Sequence, residues 1–404
     1  MPGARRFARD WRKPWKVLML QLEPIQPAPG RWRTIVEKDF FPRNRRRDVD
    51  GLRGLAVVLV VLFHAGWLKG GFIGVDIFVV ISGYFMGRSA LMQHPFQPVR
   101  FVCRRLYRLL PALLCMIAVT SAGMLWWVLQ SDRADIASNG AYALVYLSNI
   151  WAAGHVGYFQ GQAMAYPFLH TWSLSLEMQF YAIIFVVALL LPVIRHRRLL
   201  LLSVFTASAA YCALAWYWGD GQAYYTIFAR LWQFLLGTMI WMLPRLRLSC
   251  GVANLVYAVA LAVIVGSGLF YPRSFACPSY MAVFPCIAVA VIIMLPDTKV
   301  GQRWLVPLSP LGVISYSVYL WHWPGIVVAN YLLFFQVHGA VMAGVLALVT
   351  VVSLLSYVFV ERPALDYEDR VSVAVRNRGA GLLVGGCLGL AVVLAFISHV
   401  SRVH

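Results

Sequence analysis

Charge is what this chain has least of. Lys, Arg, Asp and Glu together make up 13% of its 404 residues, against roughly 25% in an ordinary soluble domain. Acids are scarcest, 16 in all beside 35 Lys and Arg. A water-exposed globule cannot be built at that composition. Cysteine is sparse too: seven, at 103, 115, 212, 250, 277, 286 and 387. The odd count and irregular spacing give neither a zinc site nor a disulfide framework, so no metal is expected, and Cys277 and Cys286 read as core thiols rather than a pair. No cleavable leader is visible, because WKVLMLQLEP near the start is too short and lacks a small-residue cleavage site. No repeat and no appended soluble domain stand out.

What the chain has in abundance is apolar length. Hydrophobic residues reach 61% and the mean hydropathy is +0.71, with many runs near the roughly 20 residues that cross a bilayer. The expected fold is all-α and polytopic. The net charge of +19 does not point to nucleic acid, since Arg and Lys gather in the N-terminal arm and in short gaps between apolar runs, the pattern of cytoplasmic loops. RFARDWRKPWK and RNRRR would also favour an anionic leaflet of the lipid bilayer.

Spans are expected near 52–69, 72–92, 108–130, 170–194, 199–218, 226–243, 252–270, 280–296, 309–333 and 338–360, with an eleventh near 379–399. The shorter apolar piece at 134–151 sets the orientation of all that follows. If it crosses, the basic loops at 195–198, 244–247 and 296–303 face outward; if it enters and returns, they fall inside. The positive-inside tendency favours the re-entrant choice, tolerable where protein surrounds the piece. The division is a basic cytoplasmic arm over 1–49, a domain of ten core transmembrane helices over 50–364, and a linker with one more transmembrane helix over 365–404, its C-terminus outside.

Four ionisable residues from four of these helices share one level. Arg53 marks the inner mouth of the first span, and His64 follows 11 residues later, roughly 16 Å further along. Asp76, in GGFIGVDIFVVISGYF, starts the second span from the outer side. Glu177, in HTWSLSLEMQFY, and His322, in SYSVYLWHWP, fall at a similar depth. Each has a structural reading: Asp76 fixing the turn near Gly74, or His322 satisfied beside Pro324. Together they mark a pathway or a reaction site. His64 is the candidate base, with a neighbouring carboxylate to hold its tautomer. On the inner side, Arg105 and Arg108 of FVCRRLYRLLP lie three apart on one helix face. They are either a positive-inside flank or a guanidinium pair for a phosphate-bearing ligand.

DGLRGLAVVLVVLFHA, GGFIGVDIFVVISGYF, RRLYRLLP, HTWSLSLEMQFY, ISYSVYLWHWP and VERPA resemble, in that order, the recurring blocks of the membrane acyltransferase-3 family, from about residue 48 to 364. These are bacterial inner-membrane enzymes that O-acylate cell-surface carbohydrates such as lipopolysaccharide and other glycans. The resemblance implies acetyl-CoA as a cytoplasmic acyl-CoA donor and a carbohydrate acceptor met at the outer face. It makes His64 the essential histidine and Arg105 and Arg108 the donor-binding pair. Asp50 and Arg53 match the polar start of the first helix, and Glu177 matches the first acid of a block whose second acid is Met178 here. Gln233 stands where the family commonly has an acid.

On this reading the acceptor hydroxyl would pass Trp172, Ser173, Trp321 and Trp323 to reach His64 in a tunnel open to the donor from below. His64 would act either as a base on the hydroxyl or as a covalent acyl carrier. The rival reading is a proton-coupled transporter using His64, Asp76, Glu177 and His322 as a relay. The lack of apparent inverted halves weakens it.

Overall fold

The computed structural model describes residues 46–91, 96–155, 165–190, 196–244, 246–273, 280–334 and 336–403. Most of the N-terminal arm, and Cys277, lie outside them. Among the described residues the chain is helical throughout, with no strand. Seven helices there are long and apolar enough to cross a bilayer, and a bent pair makes an eighth.

The first helix, α1 (Arg47–His64), opens with Arg47, Asp48, Asp50 and Arg53 and then turns wholly apolar up to its final histidine. The chain reverses through Gly66, at φ 80°, into α2 (Ile73–Leu91). α3 (Pro98–Trp127) starts on a proline, whose missing N–H costs nothing in a first turn. It begins ten residues before the apolar run does, so the basic stretch is part of the helix.

The 134–151 piece is not one helix. α4 (Gln130–Leu144) and α5 (Ser148–His155) are separated by a break in which Tyr146 takes φ 55°, a left-handed conformation uncommon for a bulky residue. Next come α6 (Trp172–Leu190), α7 (Arg197–Tyr217) and α8 (Ile227–Met239). The Thr226 hydroxyl caps α8 by accepting the Ala229 N–H. α9 (Cys250–Phe270) and α10 (Val283–Met294) form the next pair, followed by the short α11 (Lys299–Trp304). The run at 309–333 divides into α12 (Ser309–Val313) and α13 (Ser315–Leu332), within a pair bent by 66°. α14 (Gly339–Ser356) passes through a π-turn at Tyr357–Glu361 into α15 (Arg362–Arg370), and α16 (Val373–Val403) closes the chain.

Two close crossings position the site. A methyl group on Gly54 of α1 would run into the Leu308 carbonyl and the Gly312 amide, and one on Gly312 would strike the Asp50 carbonyl. Glycine therefore lets α1 and α12 meet backbone to backbone. In the same way Gly83 of α2 lies on the Phe234 carbonyl, and Gly237 of α8 on the Val80 carbonyl. Leu52, Ile73, Ile77, Val80, Trp232, Tyr257 and Ile264 fill the adjoining core.

Candidate active site

The site begins with two imidazoles brought together by α1 and α13. His64 Nδ1 lies 2.8 Å from His322 Nε2, with the rings stacked at 5.0 Å. The other nitrogen of His322, Nδ1, faces the Tyr319 carbonyl at 2.7 Å and the Val318 carbonyl at 3.2 Å. Carbonyls only accept, so Nδ1 of His322 carries the proton and its Nε2 offers a lone pair. His64 must then donate from Nδ1, which makes Nε2 the basic nitrogen of its ring. The assignment follows from hydrogen-bond logic alone. His322, fully buried, occupies the place where a carboxylate was expected. Trp323 packs against His64 at 4.6 Å between ring centroids, while His64 itself remains partly exposed.

Neither carboxylate of the level touches this pair among the described contacts. Asp76 is buried and bonded to Arg230 at 2.5 Å and to the Gln233 amide at 2.9 Å. Arg230 in turn lies over the Tyr224 ring at 4.5 Å and faces the Trp172 ring at 5.6 Å. This ion pair ties α2 to α8. It also explains how Gln233 is accommodated, as a neutral donor to an aspartate that a second acid at this position would repel. Glu177 accepts hydrogen bonds from Ser82 and Tyr181.

Glu177 and its two partners line a narrow cavity of about 90 Å³ that also meets Arg53, Arg108, Ser173 and Tyr319. The cavity spans from the basic inner side to Tyr319, whose hydroxyl donates to the His170 carbonyl at 3.0 Å and shares a 2.6 Å hydrogen bond with Ser173. His64 is not among its lining residues. Its lining reaches Tyr319, three residues before His322 on α13.

The two arginines of the R-x-x-R pair differ. Arg108 is exposed and lines the cavity. Arg105 is buried, its guanidinium donating to the Phe101 carbonyl at 2.5 Å and to Met86 Sδ at 3.0 and 3.1 Å. It stands one side chain behind the cavity wall, which Met86 and Tyr181 form. Asp50 is buried beside Gly312. Glu361, presented by the π-turn, accepts a hydrogen bond from Ser317 at 2.7 Å and faces Arg53 and Arg108.

The aromatic residues expected at the acceptor side also separate. Trp172 is fully buried against Tyr224 and Tyr225, so packing rather than access explains its position. Trp321 lines an apolar groove of about 520 Å³ with Trp127 and Pro324. Among the described contacts Trp323 adjoins His64, and Ser173 lies on the cavity. Among the described residues no group of three or more His, Cys, Asp or Glu is arranged to hold a metal ion.

Residues 46–360 match the description of an acyltransferase domain. The chain belongs to the membrane acyltransferase-3 family. Across the family a similar protein is BcsY of Komagataeibacter xylinus, provisionally named a membrane-bound transacylase, 82% identical over 96% of this chain and the whole of that one. The O-acetyltransferase OatA of Staphylococcus aureus (strain NCTC 8325 / PS 47) is 31% identical over 81% of this chain. The peptidoglycan O-acetyltransferase OatA of Listeria monocytogenes is 30% identical over 70%. This chain spans only 58% and 50% of those two proteins. No solved structure matches.

Three site residues within this acyltransferase domain, His170, Tyr319 and Arg230, and Glu361 just past its end escaped sequence reasoning. Arg230 had a usable signal, since a cation inside FARLWQFLLG demands a buried counter-charge and Asp76 was available. His170 and Tyr319 sit in quoted motifs but have no local pattern that separates them from packing.

Proposed function

We propose that this chain is an integral-membrane O-acyltransferase that moves an acyl group, acetyl in the first instance, from cytoplasmic acyl-CoA to a hydroxyl of a carbohydrate acceptor at the outer face of a bacterial inner membrane. The observation that carries the reading is the His64–His322 pair, whose tautomers leave Nε2 of His64 basic at a partly exposed position. The peptidoglycan O-acetyltransferase activity named for one relative favours a glycan acceptor. We assign ten core spans, α1, α2, α3, α6, α7, α8, α9, α10, α13 and α14, with α4 and α5 re-entrant and α16 as an eleventh. This topology keeps the basic loops and the N-terminus inside and the C-terminus outside.

Arg53 and Arg108 would receive the donor phosphates at the inner mouth, with Arg105 supporting the wall behind them. The thioester arm would follow the cavity past Glu177 and displace the Tyr319 ring, breaking its bonds to Ser173 and the His170 carbonyl. At Nε2, His64 either takes the acceptor proton while the hydroxyl attacks the thioester, or attacks the thioester itself and later passes the acyl group outward. In both routes His322 accepts the Nδ1 proton of His64 in its hydrogen bond and so supports the positive charge. The family membership does not favour the transporter reading, and the dispersal of Asp76 and Glu177 into separate hydrogen-bonded groups breaks its relay.

The test is acyl transfer in proteoliposomes, with labelled acetyl-CoA on one side and a glycan acceptor on the other. Ester-linked label on the acceptor is expected. Proton-coupled uptake without any acyl donor, and no ester, would overturn the reading. Label trapped on the protein by donor alone selects the covalent route.

A further inference from the structure

In the topology assigned above, short outer loops should be poor in Lys and Arg, yet two cations stand at the outer end of α1, above His64. The turn that leaves α1 carries Trp67, 50% exposed, and an exposed Lys69. Its Gly70 amide donates to the Gly268 carbonyl at 3.2 Å, and a methyl group on Gly70 would strike the Ser267 and Gly268 carbonyls and crowd the Tyr271 side chain. The turn is thus seated on the last turn of α9. Arg273, also exposed, follows two residues after Tyr271. Its guanidinium lies 5.5 Å from the centroid of the Phe63 ring, within cation–π reach, and the Phe63 and His64 rings are 5.3 Å apart. Neither cation is used by a carboxylate among the described residues. The outer-side acids are Asp132, Asp135 and Asp220. Asp132 accepts from Tyr331, Asp135 meets Arg402 at 3.6 Å, and Asp220 accepts the Gln222 and Ala223 amides. Arg273 gains something from the C-terminal end of α9, and Trp67 and Lys69 are residue types that anchor helix ends at an interface. Those roles explain a cation near the membrane. They do not explain a guanidinium laid over the ring next to His64 with no anion to meet it.

We propose that Arg273, assisted by Lys69 on the same seam, is an anion site at the acceptor entrance, and that the acceptor is an anionic glycan whose carboxylate or phosphate docks there. The inference rests on the acyltransferase reading and names the class of its acceptor. A guanidinium fork matches both oxyanions, and Trp67 offers a sugar an exposed ring face. The Phe63 ring stands between the guanidinium and the imidazole, so the anion and the reacting hydroxyl sit on the same or neighbouring sugar units. Arg273 makes and breaks no bond. It is a specificity residue, using an unreactive part of the acceptor to hold the hydroxyl toward Nε2 of His64.

The test compares three glycans of equal length on the full-length protein in nanodiscs: a neutral glucose oligomer, a glucuronic acid oligomer, and a glucose oligomer carrying one phosphate. Wild-type protein should bind at least one of the anionic pair about tenfold more tightly than the neutral one, the effect of one charge-assisted contact. Which of the two is preferred separates carboxylate from phosphate. The preference should shrink as ionic strength rises, because the site faces water. Arg273→Gln should bring the anionic-to-neutral ratio close to one, Arg273→Lys should keep part of it, and Lys69→Gln should lower it by a smaller factor. A ratio is read within each variant, so a general loss of folded protein does not move it. Equal binding of all three glycans by the wild type would overturn the inference, as would an unchanged ratio in Arg273→Gln. The same samples, given labelled acetyl-CoA, separate the two readings. If ester forms on the glycans while Arg273→Gln leaves the ratio unchanged, the inference alone fails. If the preference disappears in Arg273→Gln but no glycan ever gains label, the anion site stands and the acyltransferase reading fails.

Discussion

The two ends of the site are built on opposite principles. At the outer end, His64, His322 and Trp323 are locked ring on ring, and every proton position follows from a neutral hydrogen-bond chain that ends on backbone carbonyls. At the inner end, Arg53 and Arg108 are full charges on the cavity, faced by Glu361 behind Ser317 and sharing the lining with Glu177. A group that must change protonation gains from a dry, fixed surrounding, while a group that must catch and release an anion gains from access to water. Asp76 and Arg230 show what happens to opposite charges that have no such access: they pair at 2.5 Å and become part of the scaffold.

The contrast can be broken by substitution. His64→Ala should abolish transfer, a loss on the order of 1000-fold or more, while labelled donor still binds; retained transfer would remove the outer end from the chemistry. Asp76→Ala leaves Arg230 as a buried cation and should destabilise the fold by about 3–5 kcal/mol, read as lost thermal stability in detergent. An unaltered melting point would mean that the pair is not structural. His322→Phe keeps the ring packing but removes the lone pair that orients His64. It should lower kcat on the order of 100-fold at unchanged donor KM.

The smallest effect expected is at the inner end, where Arg108→Ala should raise donor KM about tenfold, the loss of one charge-assisted contact of about 1.4 kcal/mol. Arg108→Lys should restore only part of it, because a point charge does not reproduce the guanidinium fork. Arg105→Ala should cost mainly stability, since its guanidinium is held by Met86 and Phe101 rather than by the cavity. Equal changes in donor KM at both arginines would erase this distinction.

Apolar length made most helices legible, because burial in a bilayer leaves long uninterrupted runs. The break at Tyr146 was not legible, since no glycine or proline announces it. Depth along each helix put His64 and His322 on one level, and the structure joins them. Depth carries no information about rotation, however, and for that reason Asp76 and Glu177 turn to other partners. The arginine pair shows a related limit: i to i+3 spacing gives a shared helix face but not which member lines the cavity, and here Arg108 does while Arg105 is buried. The contacts that decide the site, Tyr319 with His170 and Arg230 with Asp76, join residues about 150 positions apart, beyond any local periodicity.

The meeting of Gly54 with Gly312 acts as a datum from which both histidines are measured. Each imidazole stands ten residues beyond its own glycine, His64 along α1 and His322 past the bend that joins α12 to α13, so one backbone crossing anchors both. Inserting a single residue between Gly312 and His322 would leave hydropathy and span almost untouched. It would swing the second imidazole by roughly 100°, and the lone pair would then point away from its partner. Length variation in this chain is thus far less tolerable between clamp and ring than anywhere in its lipid-facing helices.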